Sequence, residues 1–226
     1  MREYYGRKSR QARHLGARKC PLVGGAAPKT PVKRRKSMLV VNLFGVPGAG
    51  KSTGAAYVFS KLKMKGINAE LVTEFAKDIV WENNSRGLKN QEYIFGMQSY
   101  RLDRLRDKVD VIVTDCPLFL TAFYNKSPVL GQEFNKVVLN VFNTYNNMNF
   151  FIFQTREYTQ SGRIHTKNEV LSMQKPLLNM LENNGVPFNM IMGDEKEYDD
   201  ITEVVCNAVE KYKLREKNAK KYDMER

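Results

Sequence analysis

The sequence holds few of the residues that would mark an oxidised, zinc-bound or membrane-embedded protein. Three cysteines, Cys20, Cys116 and Cys206, occur in 226 residues. Their odd number and wide spacing exclude a disulfide framework and a zinc site, and a reducing, cytoplasmic setting is expected. No apolar run nears the eighteen or so residues of a membrane span, so no membrane partner is expected. What the chain does have is length and apolar content: 42% hydrophobic residues suffice for one sizeable core with appendages.

Acidic residues are also scarce in the first 37 residues, and both ends are basic. The formal charge is +13, and residues 1–37, with twelve Lys or Arg against the single acid Glu3, carry +11 of it. The last sixteen residues hold seven basic and three acidic side chains, which leaves 38–210 at about −2. Three segments follow: a basic arm over 1–37, a catalytic body over 38–210, and a basic C-terminal tail over 211–226. The arm has no apolar period. Pro21, Pro28, Pro31, Gly24-Gly25 and the run Lys33-Arg34-Arg35-Lys36 mark it as disordered or loosely ordered. Both basic ends suit contact with nucleic acid through counterion release. The arm is Arg-rich like a transit peptide but lacks Ser enrichment and an amphipathic face, and Met38 at the head of the first strand leaves room for an upstream extension.

The body is organised around Gly45-Val46-Pro47-Gly48-Ala49-Gly50-Lys51-Ser52, a G-x-x-x-x-G-K-S phosphate loop. A short β-branched run, Met38 to Phe44, precedes it. A helical period follows, with Ala55, Val58, Phe59 and Leu62 on one face. Strand, glycine loop and helix in that order set bare backbone N–H groups and a helix N-terminus against polyphosphate. Gly45, Gly48 and Gly50 permit the close approach. Lys51 supplies charge to the β- and γ-phosphates, the Ser52 hydroxyl is placed for Mg²⁺, and Thr53 adds a second hydroxyl. ATP and Mg²⁺ are the cofactors this implies.

Four further strands are expected at 67–73, 109–115, 149–154 and 186–192, alternating with helices, which makes the sheet parallel. Glu74 stands at the C-terminal end of the second strand, where open α/β sheets bind ligands, and Asp78 lies a turn later. Glu74 is the candidate to orient or deprotonate an acceptor hydroxyl. Asp115 ends the apolar strand Val109 to Thr114 in the Walker B pattern and is expected to hold Mg²⁺ or orient the attacking group. A long helix over 90–107 turns Arg101, Arg104 and Arg106 mostly outward. Helices over 131–146 and 197–213 carry Val137 and Val204 among their apolar residues. The polar segment after the fourth strand, Thr155 to Thr166, is read as a lid whose Arg156 and Arg163 neutralise the transferring phosphoryl, with His165 weakly placed. Pro176 is expected to kink or divide the helix over 167–184.

The phosphate loop GVPGAGKST, TEFAKD after strand 2, VIVTDCPLFLTAFY, and TREYTQSGR followed by a helix and a G-V-P-F strand together resemble the P-loop kinases and ATPases of the nicotinamide-riboside-kinase-like group. The resemblance covers about 38–210, and the phosphate loop is its most specific part. It implies a P-loop NTPase three-layer α/β sandwich with strand order 2-3-1-4-5, acceptor-facing TEFAKD carboxylates and a TREYTQSGR lid. Bacteriophage relatives of similar appearance include kinases acting on hydroxymethylated pyrimidines in DNA, while no nicotinamide-adenylyl transferase module is implied. The expected activity is ATP-dependent transfer of the γ-phosphate to a hydroxyl of a nucleoside, a nucleotide or a base within DNA. The alternative is an ATPase or switch that acts on nucleic acid or protein without phosphorylating it.

Overall fold

The structure, a computed structural model, describes residues 38–153 and 163–224. Its centre is β1 (Leu39–Phe44), a β-branched strand buried at every position. On one side β1 pairs in parallel with β3 (Val111–Thr114), which pairs with β2 (Ala69–Val72). On the other it pairs with β4 (Asn146–Ile152), which pairs with β5 (Asn189–Ile191). The order is therefore β2-β3-β1-β4-β5, all parallel, as the resemblance implies. Helices α1 (Lys51–Met64), α2 (Phe75–Trp81), α3 (Ser85–Lys89), α4 (Gln91–Asp103), α5 (Leu120–Tyr124), α6 (Gly131–Phe142), α7 (Lys167–Asn183) and α8 (Glu195–Met224) complete the three-layer sandwich. The described residues lie within the compact unit Arg35–Arg226. None of the described helices is long and apolar enough to cross a membrane.

β4 begins three residues earlier than the apolar pattern suggests. Asparagine disfavours strands unless its amide finds partners, and here it does. In the register Leu39 pairs with Asn146 and Asn42 with Asn149. Asn42 Nδ2 donates to Asn147 Oδ1 and Asn149 Oδ1, both at 2.9 Å, while Asn149 Nδ2 donates to the Pro187 carbonyl at 2.9 Å. A satisfied amide ladder thus crosses the middle of an apolar sheet.

Three helices depart from expectation. α7 runs unbroken through Pro176, because Val170, Leu177 and Leu181 hold both halves against the core and Thr166 with Glu169 forms a capping box at its start. α8 continues eleven residues past 213. Its last anchors are Lys213 Nζ, 2.9 Å from the buried Asp110 carboxylate, and Tyr212 Oη, which accepts from Asn146 Nδ2 at 2.9 Å. Beyond them the sequence is rich in Lys, Glu, Arg and Ala, which favour helix without an apolar stripe. Val137 and Val204 face outward, 51% and 50% exposed, while Val138, Phe142, Ile201 and Val205 fill the core faces of α6 and α8.

α1 and α8 meet at Gly54. A Cβ there would stand 2.5 Å from the ring of Tyr198, itself buried. Gly54→Ala is expected to lower stability by about 1–3 kcal/mol through overpacking, despite alanine's better helix propensity. Denaturant unfolding reads this, and an unchanged midpoint would show that α8 yields freely.

Candidate active site

β1 ends at Phe44, and the chain turns through Gly45 (φ 146°), Gly48 (φ 86°) and Gly50 (φ 99°) before α1 begins at Lys51. Gly45 is required twice over, since its backbone is left-handed and a Cβ would lie 2.8 Å from the Ile152 carbonyl oxygen. Val46 and Ala49 are buried and pin the loop from below. Pro47, Gly48, Gly50, Lys51, Ser52 and Thr53 face a cavity of about 840 Å³. Gly50 caps α1 without a side chain, and the first turn has no acid, so nothing local competes with an anion for that helix end.

Lys51 folds back over its own loop. Its Nζ donates to the Gly45 carbonyl at 2.9 Å and the Val46 carbonyl at 3.0 Å. Burial lowers its pKa below the ordinary lysine value, against the pull of the Glu74 and Asp115 carboxylates.

Glu74 precedes α2 at its N-cap position, yet its carboxylate does not cap the helix and lines the cavity instead. Burial pushes its pKa up, while the Lys51 ammonium opposes the rise. Asp115 follows β3 and is 3% exposed, and its Oδ1 has no hydrogen-bond partner. A buried carboxylate oxygen left bare is costly unless a ligand satisfies it. That orphan oxygen and the exposed Ser52 hydroxyl are hard donors of the kind Mg²⁺ takes, so the residues fit the metal. Among the described residues no group of three or more His, Cys, Asp or Glu could hold a metal unaided.

Gln98 on α4, 0% exposed, ties these carboxylates together. Its Oε1 accepts from Phe75 N at 3.0 Å, and its Nε2 donates to the carbonyls of Thr73 (3.3 Å) and Cys116 (3.4 Å). One amide therefore grips the residues on both sides of Glu74 and the residue after Asp115. Gln98→Leu leaves the buried Phe75 N–H and Cys116 carbonyl short of a partner, while the exposed Thr73 carbonyl keeps its bond from Arg101. It is expected to lower kcat by at least tenfold and stability by about 1–3 kcal/mol. If the folded variant keeps its kcat, Gln98 is a packing residue only.

Arg163 and His165, at the C-terminal end of the expected lid segment in sequence, line the cavity, whereas Arg156 lies outside the described residues. The His165 ring stands 6.0 Å from the Tyr124 ring, and burial lowers its pKa. Asp78 does not join the cavity lining. It is exposed and paired with Arg101 at 2.6 Å, so only one of the two carboxylates after β2 lines the cavity. Arg101, Arg104 and Arg106 are likewise absent from the lining; Arg106 pairs with Asp103 and stacks on Tyr145. Cys116 does line the cavity, and burial pushes its thiol well above the usual range, which makes it a weak nucleophile.

Sequence reading missed Gln98, Gln91, Tyr124 and the lysines at 77, 89 and 126, which line or brace the cavity from α2, α3, α4, α5 and the segment after α5. α3, also missed, had a signal. Asn84 accepts from Gly87 N and Asn90 from Tyr93 N, both at 2.8 Å, so two N-cap asparagines six residues apart announce two successive helix starts.

A glycine phosphate loop between a buried central strand and a helix, in a parallel sheet of order 2-3-1-4-5, defines the P-loop class of nucleotide-binding α/β proteins. Within that class the chain belongs to the AAA domain family, which it matches over residues 40–197, from β1 into α8. No curated protein matches the sequence. Similar solved structures include deoxyadenosine kinase from M. mycoides with bound dCTP, at 16% identity and TM-score 0.48, covering 75% of this chain and 99% of that one. The same enzyme with bound dATP gives 18% and 0.48 over 75% and 98%. With products dCMP and a flexible dCDP bound it gives 17% and 0.46 over 76% and 99%. These are likenesses of chain trace alone.

Proposed function

We propose that the protein is an ATP- and Mg²⁺-dependent phosphotransferase that moves the γ-phosphate to a hydroxyl of a nucleoside, a nucleotide or a base in DNA. The observation that carries this reading is the continuity of the cavity. One space of about 840 Å³ has the phosphate loop at one end and Val80, Leu88, Ile94, Leu120 and Met173 elsewhere in its wall, with Glu74 also in its lining. That volume lies within the ~300–1,000 Å³ of ligand pockets, and apolar walls with a few convergent polar groups are what a second organic substrate needs. The apolar part of this room is suited to an acceptor beside the nucleotide.

In this reading the loop amides and Lys51 bind the polyphosphate, Lys51 exchanging two carbonyl partners for phosphate oxygens. Ser52 and Asp115 would hold Mg²⁺, which would supply neutralisation of phosphate charge. Glu74 accepts the proton of the acceptor hydroxyl as its oxygen attacks, and its raised pKa suits it to that task. Arg163, with Arg156 from the neighbouring segment, offsets charge on the transferring group and excludes water.

The finer placement among nicotinamide-riboside-kinase-like and phage-type kinases rests on the sequence resemblance. A cytoplasmic setting, where ATP is abundant, rests on the few and scattered cysteines. The basic ends, 1–37 and 211–226, are proposed as auxiliary contacts to nucleic acid.

ADP release measured over separate pools of nucleosides, nucleotides and plain or base-modified DNA tests the reading. Stimulation by one pool is expected. The AAA domain membership gives the alternative its place: equal ADP release with and without every acceptor would favour an ATPase or switch.

A further inference from the structure

The cavity's charge is out of keeping with the body around it. Residues 38–210 sum to about −2, yet the cavity is lined by five cations, Lys51, Lys77, Lys89, Lys126 and Arg163, against one carboxylate, Glu74. Lys51 and Arg163 are accounted for by the nucleoside triphosphate. The other three are not.

Lys77, Lys89 and Lys126 come from α2, the end of α3 and the segment after α5. Each is exposed at its head while bordering the cavity, and none has a carboxylate partner among the described residues. Lys126 Nζ rests 5.8 Å from the Phe123 ring centroid, and Lys77 is close enough to Glu74 to oppose the rise in its pKa. Three like charges from three segments line one cavity, and their summed potential favours an anion there. Val80, Leu88, Ile94 and Leu120 line the same cavity and offer apolar surface for a flat ring.

We propose that the acceptor itself carries a phosphate: it is a nucleotide, free or within a nucleic acid strand, whose phosphate is held by Lys77, Lys89 and Lys126 while its base sits against the apolar wall. The inference rests on the phosphotransferase reading and narrows its substrate class. In the transfer, the acceptor hydroxyl oxygen forms a bond to the γ-phosphorus and the bond from that phosphorus to the β–γ bridging oxygen breaks. ADP leaves with the electron pair, and the hydroxyl proton passes to Glu74. The acceptor's own phosphate does not react. The lysines hold it near the mouth so that the hydroxyl points inward, and uniform binding of this kind appears in KM.

The test uses the full-length protein, γ-labelled ATP and three sets of acceptors: the common deoxynucleosides and ribonucleosides, their monophosphates, and short single- and double-stranded DNA with plain or hydroxymethylated bases. A phosphate-bearing acceptor is expected to exceed its parent nucleoside at least tenfold in kcat/KM, with an acceptor KM that rises with salt. Free monophosphate against DNA tells which source supplies the phosphate. In the triple Lys77→Ala, Lys89→Ala, Lys126→Ala variant that ratio should fall toward one through acceptor KM, and the triple Lys→Arg variant should restore it. Should the alanine variant fold poorly, calorimetric titration of the intact protein with a monophosphate and its nucleoside gives the same comparison, the monophosphate binding at least tenfold more tightly. A nucleoside that reacts or binds as well as its monophosphate, or a ratio indifferent to the lysines, overturns the inference and leaves the phosphotransferase reading standing. No labelled acceptor in any set overturns that reading, and this inference with it.

Discussion

Lys51→Ala is expected to reduce kcat by about a thousandfold, which corresponds to about 4 kcal/mol of transition-state stabilisation. The side chain ends at the phosphate loop, where its ammonium is the cation nearest the start of α1 in sequence. Its two hydrogen bonds go to the Gly45 and Val46 carbonyls, and the Val46 carbonyl also accepts from Ala49 N at 3.2 Å. Loop and sheet are held by other means: Val46 and Ala49 are buried, and Gly45 lies against Ile152. The thermal midpoint should therefore move by only a few degrees while turnover collapses. A folded Lys51→Ala protein with near-normal turnover would remove the phosphate loop from the mechanism.

Glu74→Gln is expected to lower kcat by about a hundredfold to ten-thousandfold, the range for a positioned general base, with little change in the KM for ATP. Glutamine keeps the shape and loses the proton acceptor. A collapse of ATP affinity instead would assign Glu74 to the nucleotide. The pH profile adds a signed test. Burial raises the Glu74 pKa against the charges of Lys51, Lys77 and Arg163, with the Asp115 carboxylate adding to the rise. The base is active when ionised, so activity is present above the raised pKa and falls as pH drops through it. The acid limb of kcat/KM for the acceptor should thus lie above the ordinary glutamate value of about 4.3 and vanish in the Gln variant. A limb at the ordinary value in the unaltered enzyme would show a solvated Glu74.

Legibility of this fold followed the range over which each signal acts. The phosphate loop, β1 and Asp115 were readable because their chemistry is local: a glycine loop needs its strand and helix adjacent in sequence, and an acid ending an apolar strand is visible as such. The strand order came from resemblance, and the register agrees with it. The early start of β4 was hidden because the partners that satisfy Asn147 and Asn149 lie about a hundred residues away on β1. Gln98 was invisible for the same reason, since nothing around it in sequence marks an amide that clasps Thr73, Phe75 and Cys116. Gly54 looked like an unfavourable helix residue until Tyr198 arrived from α8. The extension of α8 escaped because periodicity detects only helices that bury a stripe. The three cavity lysines are indistinguishable in sequence from solvated surface charge, since only the fold sets them in the lining of one cavity.

The central claim is that the phosphate loop and the apolar-walled room serve one reaction, direct transfer from ATP to an organic hydroxyl. A single-turnover experiment tests it most directly: excess enzyme is mixed with γ-labelled ATP and the stimulating acceptor, quenched over time, and the label is followed into ATP, acceptor and inorganic phosphate. The account predicts that label leaves ATP and enters the acceptor at the same rate, and that Lys51→Ala and Glu74→Gln slow both together. Label appearing as inorganic phosphate at one rate, with or without acceptor, would contradict it.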